Sequence, residues 1–80
     1  MKINEAIQKR IKELCNERKI TPNALSYICG VSQSTIYSIL GDKTKNPEAS
    51  TVKKICDGLD MTLAEFFSTP VFDALEQEIE

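Results

Sequence analysis

The chain has no histidine among its 80 residues and only three cysteines, Cys15, Cys29 and Cys56, none of them in C-x-x-C spacing. A structural zinc ion needs four thiolate or imidazole ligands in close pairs, so no metal site is expected. An odd cysteine count in a chain expected to be cytoplasmic also argues against a disulfide framework. Cys29 and Cys56 lie on apolar faces and read as small core residues, whereas Cys15 sits at the edge of its stripe and is expected to be partly exposed. No apolar run approaches the roughly 18 residues of a membrane-spanning helix, and Met1-Lys2-Ile3-Asn4-Glu5-Ala6 carries charge where a signal peptide needs apolar residues. No membrane association is expected, and the expected location is cytoplasmic. There is no nucleophile elbow, no phosphate-cradling glycine loop and no carboxylate pair that can be placed in a pocket, so neither enzymatic activity nor a cofactor is expected. Eighty residues suffice for one small domain with a single core.

What is present is concentrated in residues 22–41. Thr21-Pro22 is a helix start, because the threonine hydroxyl can accept from a free backbone N–H and proline lacks only a donor that is unused at the first helical position. Leu25, Ile28 and Cys29 follow at i, i+3 and i+4, one apolar face, with Ser26 small enough for a tight helix crossing. Gly30 stands where a left-handed backbone is cheap for a residue without Cβ. Val31 plugs the turn, Ser32 caps a second helix, and Ile36 and Ile39 face back towards Leu25 and Cys29. Two short helices joined by a sharp turn have the geometry of a helix-turn-helix. Neither is long enough to be stable alone, so packing must set their angle.

The outer face of the second helix carries Gln33, Ser34, Tyr37 and Ser38, with Thr35 at its flank. None is charged. Glutamine can offer adenine a bidentate donor–acceptor pair, and hydroxyls can serve in either role. Gln33, Ser34, Tyr37 and Ser38 are therefore the candidate base-reading residues of a DNA interface. The segment resembles the helix-turn-helix of Cro and phage repressors, the XRE family. The likeness extends to Ile7–Ile20 as a first helix, to Asn46-Pro47 and Thr51–Cys56 as loop and fourth helix, and to Leu59–Phe67 as a fifth. It implies an all-α, five-helix, lambda-repressor-like domain over residues 1–67 that binds double-stranded DNA. Pro22 stands where many relatives place a phosphate-contacting glutamine, and Leu40-Gly41-Asp42-Lys43 replaces their Glu-Asn-Gly-Lys. Phosphate contacts are accordingly assigned to Ser32, Thr35, Lys43, Lys45 and Asn46.

The remaining elements follow from spacing. Ile3, Ile7, Ile11 and Leu14 form one inward stripe of the first helix, with Lys9, Arg10, Lys12, Glu13, Glu17 and Arg18 outside. Val52, Ile55, Cys56 and Leu59 mark the buried face of the fourth helix. Thr62-x-x-Glu65 is a capping box, and Leu63, Phe66 and Phe67 are expected to close the core. Net charge is −2, but residues 71–80 hold four acids and no base, leaving ten bases against eight acids in residues 1–70. The DNA-facing domain is thus weakly positive, and phosphate attraction should be limited and salt-dependent. Residues 68–80 open with Ser68-Thr69-Pro70, another helix start, and place Val71, Phe72, Leu75 and Ile79 on one stripe. This additional short, acidic, amphipathic helix is expected to dock on something, with homodimerisation favoured. The function expected from these features is sequence-specific transcriptional regulation, by a dimeric repressor reading a palindromic operator. The alternative is an antitoxin-like protein-interaction module, with a protein partner bound through residues 71–80.

Overall fold

The computed structural model describes residues 1–41 and 46–79, and among them the regular elements are all helical. The order is α1 (Ile3–Arg18), α2 (Pro22–Cys29), α3 (Gln33–Leu40), α4 (Ala49–Gly58), α5 (Leu63–Phe66) and α6 (Pro70–Asp73). The five-helix domain with a short sixth helix matches the expected architecture.

The local signals act where they stand. Thr21 Oγ1 accepts from the Ala24 N–H at 3.1 Å, with Pro22 at the first helical position of α2. Gly30 ends that helix at φ 66°, the left-handed conformation that releases it into the turn. Ser32 Oγ accepts from the Thr35 N–H at 3.2 Å and opens α3. Thr62 and Glu65 form the capping box: Glu65 N–H donates to Thr62 Oγ1 at 3.0 Å, and Thr62 N–H donates to Glu65 Oε1 at 2.9 Å. Lys19 and Asp60 also take positive φ, closing α1 and the turn after α4 without a glycine.

A single core joins Ile7, Ile11 and Leu14 of α1 to Leu25, Ile36, Ile39, Val52, Ile55, Leu59 and Phe66. Its tightest seam is α2 against α4. A Cβ added to Gly58 would lie 2.7 Å from Cys29 Sγ and 2.9 Å from Cys29 Cα, so only glycine admits this approach. That closeness also corrects the expected face of α2. Leu25, Ser26 and Cys29 turn inward, while Ile28 is 48% exposed. The small Ser26, whose hydroxyl donates to the Asn23 carbonyl at 2.6 Å, lets α2 sit deep and rotates Ile28 to the rim. Ile3 and Leu63, expected inside, are likewise exposed. Ala6 and Cys15 complete the buried face of α1 in place of Ile3.

Ile3 and Leu63, with Ile7, Val52 and Phe67, instead line an open apolar groove of about 370 Å³. Arg10, expected on the solvated side, donates to the carbonyls of Phe66 (2.8 Å) and Glu65 (3.1 Å). It thereby caps the C-terminal end of α5 and lies 5.9 Å above the Phe66 ring.

The tail departs most from expectation. Only Pro70–Asp73 is helical, and the segment beyond Ala74 is irregular. Thr69 makes no capping bond, and one turn without a cap cannot propagate on its own. The stripe is split. Phe72 packs edge-on against Phe67 at 4.9 Å and beside Phe66 at 6.2 Å, while Ile79 is 82% exposed. The tail is tied to the start of its own chain, with the Glu76 N–H donating to the Met1 carbonyl at 3.3 Å.

Candidate nucleic-acid interface

The joint between α2 and α3 sets what α3 can present. With Ile36 and Ile39 buried, a helix of 3.6 residues per turn must turn Gln33, Ser34, Tyr37 and Ser38 outward together, and all four are exposed. Tyr37 remains 51% exposed although its hydroxyl donates to Asn23 Oδ1 at 3.0 Å. Gln33 Nε2 donates to the Tyr27 hydroxyl at 3.4 Å, and Tyr27 is 79% exposed.

The exposed face of α3 is therefore continuous with Asn23 and Tyr27 of α2, two residues the sequence reading did not select. Their signal was available. They lie at i and i+4, on the side of α2 away from Leu25 and Cys29. The two cross-helix bonds hold Gln33 and Tyr37 in place while leaving amide and hydroxyl groups at the surface.

Ser32 and Thr35 stand at the start of α3, where their hydroxyls bond each other at 2.8 Å, and Ser32 Oγ lies 3.3 Å from Ser34 Oγ. The Ser32 hydroxyl is occupied in capping and the Thr35 hydroxyl in bonding Ser32, although a hydroxyl oxygen keeps acceptor capacity and its proton can be redirected. Asn46 is exposed and lines a cleft of about 360 Å³ with Ser34, Thr35, Ser38, Pro47 and Thr51. The cleft gives α3 and the start of α4 a common concave wall. Lys43 and Lys45, the other two residues assigned to phosphate, lie outside the described residues.

Among the described residues, few charges lie around this surface. Neither α2 nor α3 has an acid in its first turn. Glu48, however, lines the cleft and would face any phosphate placed there. Lys53 is paired with Asp57 one turn on. The outer face of α3 is uncharged, so it can contact base edges by hydrogen bonding but adds no attraction for a phosphate backbone.

The cysteines take no part in the surface. All three are free and buried, Cys15 included, contrary to its expected partial exposure. Burial pushes the Cys15 and Cys56 thiols up from their ordinary range. Cys29 is pushed up to about 11, by burial first and then by the neighbouring Cys15 and Cys56. Thiols held protonated in this way are poor nucleophiles and poor metal ligands. No group of three or more candidate ligand side chains able to hold a metal ion occurs among the described residues. No helix among them is long and apolar enough to cross a membrane.

Residues 10–71 match the family model of the Cro/C1-type HTH DNA-binding domain. The fold is similar to that in the crystal structure of the prophage Lp1 protein 11, with a TM-score of 0.80 and 26% sequence identity, over 94% of this chain and all of that one. No curated protein matches the sequence.

Proposed function

The chain belongs to the Cro/C1-type helix-turn-helix DNA-binding family, and from that premise we propose that it is a sequence-specific transcriptional regulator, a dimeric repressor of a roughly palindromic operator. The observation that carries this reading is the exposed, uncharged amide-and-hydroxyl face of α3, braced by Asn23 and Tyr27. Gln33, Ser34, Tyr37 and Ser38 read base edges in the major groove. Ser32, Thr35 and Asn46, with Lys43 and Lys45, hold phosphates, as do backbone amides at the helix starts. In the dimer, two α3 helices enter successive major grooves about 34 Å apart. The near-neutral surface makes affinity modest at physiological salt, so base contacts carry a large share of the discrimination.

Selection from a random oligonucleotide pool tests the reading directly. Recovery of one motif with two inverted half-sites supports it, and recovery of no motif from a folded, soluble chain would sink it. On the selected site, Gln33→Ala should lose preference at one base position per half-site, at a cost of about 1–3 kcal/mol. Lys43→Ala should weaken all sequences alike. The second reading, an antitoxin-like interaction module, draws on the acidic tail and the exposed Ile79. A stoichiometric protein partner that co-purifies from the native host, and is lost on Ile79→Asp, would favour it.

A further inference from the structure

Beyond α6 the chain carries Glu76 and Glu78 two residues apart, and both side chains reach Lys2. Lys2 Nζ lies 3.6 Å from Glu76 Oε2 and 3.8 Å from Glu78 Oε2, and the N-terminal ammonium lies 3.2 Å from Glu76 Oε1. These contacts cancel the two positive charges at the start of α1. They also fix where the acids stand. Glu78 lines the apolar groove together with Asn46 and Pro47, and the same Asn46 and Pro47 line the cleft shared with Ser34, Thr35 and Ser38. The acidic tail and the recognition surface are thus separated by one corner of chain. Charge interactions are screened over about 10 Å at 0.1 M salt, so cancelling two positive charges beside that corner lowers the attraction for a phosphate backbone that lies against it. Glu48 lines the cleft itself and opposes phosphates there directly.

We propose that the C-terminal segment is a built-in electrostatic brake on duplex binding, in which Glu76 and Glu78, held against Lys2 and the N-terminal ammonium beside the Asn46–Pro47 corner, cancel positive charge that would otherwise attract DNA phosphates. The inference rests on the DNA-binding reading above and deepens it by assigning a regulatory role to the tail. The brake is strongest at low salt and fades as ions screen it. It slows non-specific and specific binding alike, because it acts on phosphates and not on bases.

The test uses the full chain and a labelled 20-base-pair duplex of random sequence, titrated by fluorescence anisotropy at 50, 100 and 200 mM NaCl. Glu76→Gln/Glu78→Gln should tighten binding by about three- to ten-fold at 50 mM, with the gain shrinking towards 200 mM. Lys2→Gln should act in the opposite direction, because it leaves only the N-terminal ammonium against the two acids. Asp60→Asn serves as the control for net charge. It makes the same charge change as Glu78→Gln, suits a left-handed backbone, and lies beyond the far end of α4 from the cleft. It should leave affinity within about two-fold of the parent.

The brake is overturned if the double variant binds like the parent, or if Asp60→Asn matches Glu78→Gln. It is overturned also if Lys2→Gln and the double variant weaken binding together in step with a loss of Tm, the signature of a merely structural tail. A parent chain that binds no duplex at any of these salts removes the DNA-binding reading itself, an outcome distinct from an unbraked binder.

Discussion

The α2–α4 seam and the C-terminal segment are both attachments between distant parts of the chain, but they are made of different physics. At the seam, Cys29 and Gly58 meet backbone to backbone beside fully buried Ile55 and Leu25. At the tail, exposed carboxylates meet an exposed lysine and an ammonium group, with one half-buried ring as anchor. Apolar burial is insensitive to ions and leaves no room for slippage. Exposed ion pairs contribute little to stability and yield to salt. The rigid attachment therefore fixes α2, on which α3 packs, and the yielding one holds the tail to the start of the chain.

The largest effect expected from disturbing this contrast is in the core. Ile55→Ala should destabilise the domain by about 2–5 kcal/mol, read as a lower midpoint in urea, because the cavity opens under α2 and α3. Gly58→Ala should cost about 1–3 kcal/mol despite the better helix propensity of alanine, since the new methyl group meets the backbone of Cys29. A neutral or stabilising result there would show that the seam can slide. Phe72→Ala should cost about 1 kcal/mol, the range of an aromatic pair, and should release the tail without moving α3. Matching changes in the NMR shifts of Gln33 and Tyr37 would contradict that separation.

The smallest effect on global stability comes from pH. The N-terminal ammonium, which donates to Glu76 and pairs with it, and then Lys2, hold the Glu76 carboxyl below the usual carboxylate range. A depressed folded-state pKa means that the attachment is complete above the unfolded value and is lost as pH falls through the folded one. Amide exchange at Glu76, whose N–H is bonded to Met1, should therefore gain relative to the α2 and α4 amides, after correction for intrinsic rates, on titration through the acidic range. Protection that stays flat would mean that the tail is held by Phe72 alone.

How much of this was legible depended on range. Thr21, Pro22, Gly30, Ser32 and the Thr62–Glu65 box act within four residues of themselves, and each ends or starts its helix where its chemistry indicates. The outward set Gln33, Ser34, Tyr37 and Ser38 followed once Ile36 and Ile39 were placed inside. The role of each remains a proposal, but their common exposure was readable. Ile28 was misplaced because apolar spacing alone cannot tell a core face from one a single helical step away. Its position was decided by Gly58, 30 residues further on. Arg10 looked like a solvated charge because its acceptors are carbonyls on α5. Asn23 and Tyr27 looked unremarkable until α3 was laid beside them.

The tail illustrates the same limit from the other side. Its apolar period promised a helix, but a period describes a helix only if something buries the stripe, and this domain offers a surface for Phe72 and not for Ile79.

The residues by themselves determined the starts of α2, α3 and α5, the stop of α2, the joint between α2 and α3, and the uncharged character of the outer face of α3, because those depend on hydrogen bonds and periodicities a few residues long. Tertiary structure alone decided the depth of α2, the bracing of Gln33 and Tyr37 from α2, the use of Arg10 as a cap, and the position of the acids against Lys2. Those depend on which surfaces meet once separate elements pack, over separations from 6 residues for Tyr27 and Gln33 to 75 for Met1 and Glu76.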